Sequence, residues 1–128
     1  MRLLLDTCTF LWLALDPARL STTAVSLIDD ASTELFFSDV SVWEIVVKNT
    51  AGKLPLPEGP DCWLPPQLSY WHLQSVPIGR PALYRTATLP AIHADPFDRL
   101  LAATAIEAGF TVLSPDAPLS LLGAARLW

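Results

Sequence analysis

Four acidic residues stand where predicted strands end or predicted helices begin. Asp6 closes the apolar run Leu3–Leu5, Glu44 lies in Ser-Val-Trp-Glu, Asp98 in Asp-Pro-Phe-Asp-Arg and Asp116 in Leu-Ser-Pro-Asp. Open parallel sheets bind ligands at their carboxyl edge, where a strand that ends in an acid places its carboxylate. Carboxylate oxygens are preferred ligands of Mg²⁺ and Mn²⁺, and acidic sites that hold such ions often act on phosphate.

Each of these acids also has an ordinary structural explanation. Asp6 could cap a helix, although Thr7 or Thr9 could do so instead. The negative charge of Asp98 would interact favourably with the helix dipole in the first turn of a helix, and Asp116 could be an ordinary turn residue. The combination is more informative, because two carboxylates about 5 Å apart repel by roughly 3 kcal/mol at an effective dielectric constant of about 20. A cluster of four requires a cation or raised pKa values.

Two helix frames remain open for Glu44. If Ser41 is the N-cap, Ser41 and Glu44 have the spacing of a capping box and the carboxylate is used at the helix start. If the helix begins at Ser38 or Asp39, Glu44 falls in its second turn and its carboxylate is free. Spacing alone supports the two frames equally.

Strands and helices alternate along the chain, which predicts an α/β sandwich with a mainly parallel sheet. Predicted strands cover residues 2–5, 34–38, 73–78, 110–114 and 126–128. Predicted helices cover residues 7–15, 21–31, 40–50, 66–71, 80–88, 95–108 and 117–122. The best-defined helix has Asp95 as N-cap and ends at Gly109. Residues 53–66 hold five of the twelve prolines and are predicted to be irregular.

Composition limits the class of protein. A chain of 128 residues with 52% hydrophobic and 16% charged residues fits one domain with a buried core and excludes a disordered chain. Asp16 and Arg19 interrupt the first apolar stretch, so we expect no membrane span. The apolar run at the N-terminus contains Asp6 and has no small-residue cleavage pattern, so we expect no signal peptide. Cys8 and Cys62 have neither metal-site nor disulfide spacing, so a cytoplasmic location is expected. The net charge of −5 argues against a basic nucleic-acid surface, less so if cations offset four of the acids.

Four segments resemble motifs of PIN-domain ribonucleases, in particular the VapC toxins of bacterial type II toxin–antitoxin systems. They are residues 3–12, 38–48, 93–103 and 111–116, of which the third is the most specific. Order and spacing agree over nearly the whole chain. The resemblance implies a single PIN domain over residues 1–128, folded as a three-layer α/β/α sandwich.

The resemblance also implies a metal-dependent endoribonuclease that hydrolyses RNA phosphodiester bonds. One or two Mg²⁺ or Mn²⁺ ions would be held by the four acids Asp6, Glu44, Asp98 and Asp116. For Glu44 this favours the frame with a free carboxylate. Lys48 and Arg99 are candidate phosphate contacts, although Arg99 is chiefly expected to form a structural ion pair beside Asp98. His93 is expected to pack or to form a hydrogen bond near the helix start at Asp95.

Partners are implied in the same way. A VapC-like toxin is neutralised by a small VapB-like antitoxin that covers the acidic groove, and a toxin homodimer would form a heterotetramer or larger assembly with it. Trp12 and the first and third helices are candidate contacts.

Three alternatives compete with this interpretation. A PIN nuclease could act in RNA maturation without an antitoxin, or the chain could be a catalytically inactive PIN-fold binding module. Four mutually repelling carboxylates argue against the inactive module. A haloacid-dehalogenase phosphatase also begins with a strand that ends in Asp, but it requires a second Asp where this chain has Cys8.

Overall fold

A five-stranded sheet at the centre of the molecule brings distant motifs together. The computed structural model describes all residues, 1–128, and its strands are β1 (Arg2–Leu5), β2 (Glu34–Ser38), β3 (Gln74–Val76), β4 (Thr111–Leu113) and β5 (Arg126–Leu127). They have the order β3-β2-β1-β4-β5, and all four pairings are parallel. The chain runs from β1 outward to β3 and then crosses to β4 on the other side of β1. The strand order therefore reverses between β1 and β4, where ligand-binding crevices form in open sheets.

Seven helices cover the two faces of this sheet. They are α1 (Thr7–Leu15), α2 (Thr22–Asp29), α3 (Asp39–Thr50), α4 (Pro60–Tyr70), α5 (Arg80–Arg85), α6 (Pro96–Ala108) and α7 (Ala117–Leu121), with 3-10 turns at Pro17–Arg19 and Thr86–Thr88. No helix has the combination of length and apolar character that crossing a bilayer would require.

Alternation along β1 divides the buried side chains into two cores. Leu3 and Leu5 pack on one face with Phe10 of α1, and Leu4 packs on the other with Leu101 of α6. Successive strand residues point to opposite faces, so a strand that is apolar throughout must be covered on both. The predicted three-layer α/β/α sandwich with a parallel sheet is confirmed.

One prediction about the helices is wrong. Residues 60–66 were expected to be irregular, yet α4 begins at Pro60 and contains Pro65 and Pro66. Pro60 stands in the first turn, where its missing N–H costs nothing. Burial of Trp63 and Leu64 in the core beside α1 stabilises the helix against the two interior prolines, both of which are exposed. The helix predicted over residues 66–71 therefore begins six residues after the observed start of α4 at Pro60.

Other predicted boundaries differ by a few residues. The second helix ends at Asp29 and not near residue 31, and the third strand covers only Gln74–Val76. The helix predicted over 80–88 ends at Arg85 and continues as a 3-10 turn. Gly109 ends α6 as predicted, with the left-handed φ of 73° that glycine adopts without strain.

The central position of β1 leads to a stability prediction. Leu4 is fully buried and pairs in register with Phe36 and Val112. Leu4→Ala should lower the free energy of unfolding by about 2–5 kcal/mol, because it leaves a cavity in a packed core. The measurement is equilibrium unfolding in urea. Leu121→Ala is the matched control and should cost less than about 0.5 kcal/mol, since Leu121 is 64% exposed. Equal costs in the two variants would contradict the central placement of β1.

Candidate functional site

A cleft at the carboxyl edge of the sheet contains all four acids singled out in the sequence. It encloses about 300 Å³. Its charged lining consists of these acids (Asp6, Glu44, Asp98 and Asp116), a fifth acid, Asp95, and the two lysines Lys48 and Lys53. The sequence predicts only a capping role for Asp95 and no role for Lys53.

Asp6 is held at the end of β1 by bonds on both of its carboxylate oxygens. Its backbone N–H donates to the Leu113 carbonyl at 3.3 Å, which extends the β1–β4 ladder by one residue. Its Oδ1 accepts from the Thr9 N–H at 2.8 Å, and its Oδ2 accepts from the Ser114 hydroxyl at 2.6 Å. Asp6 is therefore the N-cap of α1, in place of the alternatives Thr7 and Thr9. Each oxygen keeps a second lone pair for another ligand.

Glu44 lies in the second turn of α3 with its carboxylate in the cleft. Ser38 caps the helix by accepting from the Val40 N–H at 3.0 Å, and the Ser41 hydroxyl has no partner. The capping-box frame is therefore excluded. Glu44 accepts from the Thr7 hydroxyl at 2.6 Å on Oε1, and from the Lys48 ammonium on Oε2.

Asp95 and Asp98 share the N-terminus of α6. Asp95 Oδ1 accepts from the Phe97 N–H at 2.9 Å and, more weakly, from the Asp98 N–H at 3.4 Å. Asp98 Oδ2 lies 2.8 Å from His93 Nε2, so the expected bond of His93 near this helix start is confirmed. One ligating atom from each of His93, Asp95 and Asp98 lies within 4.8 Å of the other two.

Asp116 is the least constrained of the acids. It occupies the N-cap position of α7, but its side chain makes no capping bond and is exposed. Its backbone N–H donates to the Ser114 hydroxyl at 3.0 Å. The same hydroxyl donates to Asp6, so Ser114 ties the end of β4 to the end of β1. The sequence predicts no role for Ser114, although its position at the end of the predicted strand 110–114 was an available signal.

The charges in the cleft are incompletely compensated. Burial raises the pKa of Asp6 from 3.8 to about 6, against the lowering effect of its hydrogen bonds. Burial, followed by the charges of Asp95, Asp116 and Glu44, also raises the pKa of Asp98, although the bond to His93 opposes this. Burial and the neighbouring acids raise the pKa of the Cys8 thiol to about 12, so Cys8 is protonated at neutral pH.

The donor set fits a hard divalent cation. All four predicted acids offer oxygen atoms, and the raised pKa values of Asp6 and Asp98 mark positions where added positive charge would be stabilising. No pair of cysteines or histidines lines the cleft to favour a softer metal.

Arg99 does not have its predicted partner. Its guanidinium donates to four backbone carbonyls, with N···O distances of 2.7–3.3 Å. They are the carbonyls of Thr86, Leu89, Pro90 and His93. It forms no ion pair with Asp98. The prediction of a structural role is confirmed, but the ion pair is wrong, because the loop before α6 supplies unpaired carbonyls. With these bonds made, Arg99 supports that loop and is not available to phosphate.

Comparison with known proteins agrees with this architecture. A family model described as the PIN domain matches residues 3–123. No curated protein sequence matches the chain. The structure of VapBC2 from Rickettsia felis bound to a promoter DNA fragment is similar, with a TM-score of 0.73, 15% identity and coverage of 99% of this chain and 98% of that one.

Two further solved structures share the fold. FitAcB from Neisseria gonorrhoeae has a TM-score of 0.69 and 18% identity, with 98% of this chain and 96% of that chain covered. DNA-bound VapBC from Salmonella typhimurium has a TM-score of 0.69 and 14% identity, with 99% and 97% covered. Identities this low show a common fold and nothing further.

The raised pKa of Asp6 leads to a prediction about metal-free protein. The folded state binds this proton more tightly than the unfolded state, so the contribution of Asp6 to stability is present below pH 3.8 and is lost as pH rises through about 6. The full difference is about 3 kcal/mol. Asp6→Asn keeps an N-cap side chain and removes the charge. It should therefore be more stable than wild type at pH 7.5 in EDTA, with a smaller fall in stability between pH 4 and 6.

Urea unfolding at pH 4, 5, 6 and 7.5 measures this difference. Asp98 titrates in both proteins, so only the difference between them reports on Asp6. Asp29→Asn, at an exposed site outside the cleft, should follow the wild-type profile. Parallel profiles for wild type and Asp6→Asn would show that burial does not raise the pKa of Asp6.

Proposed function

The chain belongs to the PIN-domain family, and from this we propose that it is a divalent-metal-dependent endoribonuclease, the toxin of a type II toxin–antitoxin system, with one PIN domain over residues 1–128. The observation that carries this proposal is the meeting of Asp6, Glu44, Asp98 and Asp116 in one cleft. These acids come from four segments of the chain, and three of them stand where a strand ends or a helix begins.

The proposed metal ligands are these same four acids. A bound Mg²⁺ or Mn²⁺ supplies positive charge that lowers the pKa of water and stabilises charge developing on a phosphate. Ser114 and Thr7 hold the carboxylates of Asp6 and Glu44 by hydrogen bonds of 2.6 Å, so both acids are oriented before any ligand enters. Preorganised side chains of this kind lose little freedom when an ion or substrate binds.

The acids differ in the bonds they already make and therefore in the roles they can take in the reaction. Glu44 has lone pairs free beside its bonds from Thr7 and Lys48, so it can orient a water that attacks phosphorus and accept its proton. Asp116 is exposed and carries no side-chain bond, so it can contact either an ion or a water at the cleft mouth. Asp95 caps α6 through Oδ1, as Asp6 caps α1, and is not one of the four acids proposed as ligands.

The proposed protein partner is a VapB-like antitoxin that covers the cleft, in a heterotetramer or larger assembly built on a toxin homodimer. Three apolar side chains of α3 support an interface beside the site, because Trp43 is 53% exposed and Val46 and Val47 are each 40% exposed. Structures described as VapBC share this fold. A PIN nuclease of RNA maturation with no antitoxin is the second candidate function, and growth experiments separate the two.

Purified protein should cleave RNA in Mg²⁺ or Mn²⁺ and not in EDTA. Asp6→Asn and Asp98→Asn should each abolish cleavage, because each removes a proposed ligand charge. Ser114→Ala should slow cleavage by about 10- to 100-fold, the usual effect of losing a group that orients a metal ligand. Fragment formation from total RNA on a denaturing gel is the measurement.

Asp29→Asn is the matched control for that assay and should cleave at the wild-type rate. Cleavage that persists in EDTA, or that is equal in wild type and Asp6→Asn, would overturn the metal-dependent nuclease.

Expression of the chain alone in a bacterial host should arrest growth, whereas expression of Asp6→Asn should not. Coexpression of a cognate VapB-like antitoxin should restore growth, because an antitoxin would cover the cleft. Colony counts after induction are the measurement. A wild-type protein that cleaves RNA in vitro but leaves growth unaffected would favour the RNA-maturation nuclease.

A further inference from the structure

Two lysines are the only cationic side chains that line the acidic cleft. The chain has eight Lys and Arg residues. Four arginines donate to carbonyls, a hydroxyl or an acid elsewhere, namely Arg2, Arg85, Arg99 and Arg126. Arg19 lies over the ring of Trp12 at the edge of the cleft, and Arg80 is exposed at the start of α5. Lys48 and Lys53 are therefore the basic groups that line the cleft itself.

Lys48 lies in the last turn of α3, and Lys53 lies in the turn just beyond it, where backbone bonding keeps the two residues close. Lys53 N–H donates to the Lys48 carbonyl at 2.9 Å, after a reversal at Gly52 with a φ of 73°. The Asn49 side-chain amide donates to the Leu54 carbonyl at 2.8 Å and fixes the chain beyond the turn. Because both backbones are bonded in this way, the two ammonium groups extend from one short, ordered segment.

The two ammonium groups have different surroundings. Lys48 is paired with the buried Glu44, and 44% of its side chain remains exposed. Lys53 is exposed and forms no ion pair. Lys48 thus already neutralises part of the acidic cluster, whereas the charge of Lys53 is free at the edge of the cleft.

A nuclease with this cleft must bring a phosphodiester towards five carboxylates that repel it. Lysine ammonium groups bind phosphate as compact charges and release counterions from the nucleic acid when they do so. We propose, on the basis of the proposed function, that Lys48 and Lys53 form the phosphate-binding side of the cleft and hold the RNA backbone along the end of α3. Lys48 has a second effect, because its ammonium competes with a divalent ion for Glu44.

RNA binding is tested by fluorescence anisotropy with a fluorescein-labelled single-stranded 12-nucleotide RNA in Ca²⁺, with the RNA shown to be intact on a gel. At about 0.1 M salt, Lys48→Gln and Lys53→Gln should each weaken binding about fivefold, and the double variant about 25-fold. The slope of log affinity against log salt should become shallower by about 0.7 for each lysine removed. Arg80→Gln removes the same charge outside the cleft and should bind as wild type does. Lys53→Arg should restore binding.

Metal binding is tested on the same variants by the rise of Tm with Mn²⁺. Lys53→Gln should respond to Mn²⁺ as wild type does, because Lys53 pairs with no acid. Lys48→Gln should reach half of its Tm rise at a lower Mn²⁺ concentration, since Glu44 is released. A mere loss of structure would lower Tm and weaken both kinds of binding together.

The outcomes separate this proposal from the proposed function. If wild type cleaves RNA while the lysine variants bind RNA with wild-type affinity and salt slope, the phosphate-binding role is overturned and the nuclease stands. If wild type fails to cleave in Mn²⁺ but RNA binding depends on both lysines, the nuclease fails and the phosphate-binding role stands. Wild type that does not bind the RNA overturns the phosphate-binding role.

Discussion

Parallel pairing of β1 with β2 and β4 determines where the charged groups of the cleft lie. Parallel strands end at the same edge of a sheet, so residues that follow β1 and β4 become neighbours although more than 100 positions separate Asp6 from Ser114. The bond from the Asp6 N–H to the Leu113 carbonyl continues the ladder to the acid itself. At the end of β2, Ser38 caps α3 and so sets the helical phase that turns Glu44 into the cleft. A shift of one residue in the register of a strand would move its side chains to the opposite face of the sheet.

That same arrangement has an electrostatic cost. Burial raises the pKa of Asp6 to about 6 although two hydrogen bonds favour its charged form, so local donors do not fully replace the lost water. The hydroxyls of Thr7 and Ser114 orient carboxylates without neutralising them. Two apolar cores, one on each face of the sheet, supply the packing stability that offsets this cost. The cleft is therefore short of positive charge, so a cation that binds only the folded protein would stabilise it.

Sequence patterns were most informative where one residue decides the local structure. The apolar run before Asp6, the pair Asp95-Pro96 and the Gly109 stop predicted β1 and α6 with accurate bounds. They failed where tertiary burial outweighs local preference, as in α4, whose core contacts override two interior prolines. The Glu44 frame was undecidable by spacing, because both Ser38 and Ser41 can cap. The surroundings of Lys53 and Arg99 depend on which carbonyls and acids a loop brings near them. Hydrophobic periodicity in the sequence does not predict those loop contacts.

The acidic composition of the chain at first argued against nucleic acid as a partner, and the distribution of charge removes most of that objection. Five acids gather in one cleft, and the two lysines there come from the last turn of α3 and the turn that follows it. Fields near a surface are screened beyond about 8 Å at physiological ionic strength, so a phosphate responds to the groups it meets and not to a net charge of −5. With cations on the acids, one side of the cleft would be nearly neutral and the lysine side positive. A phosphodiester would then enter along α3 with its backbone on the lysines and its phosphorus towards Asp6, Glu44 and Asp98.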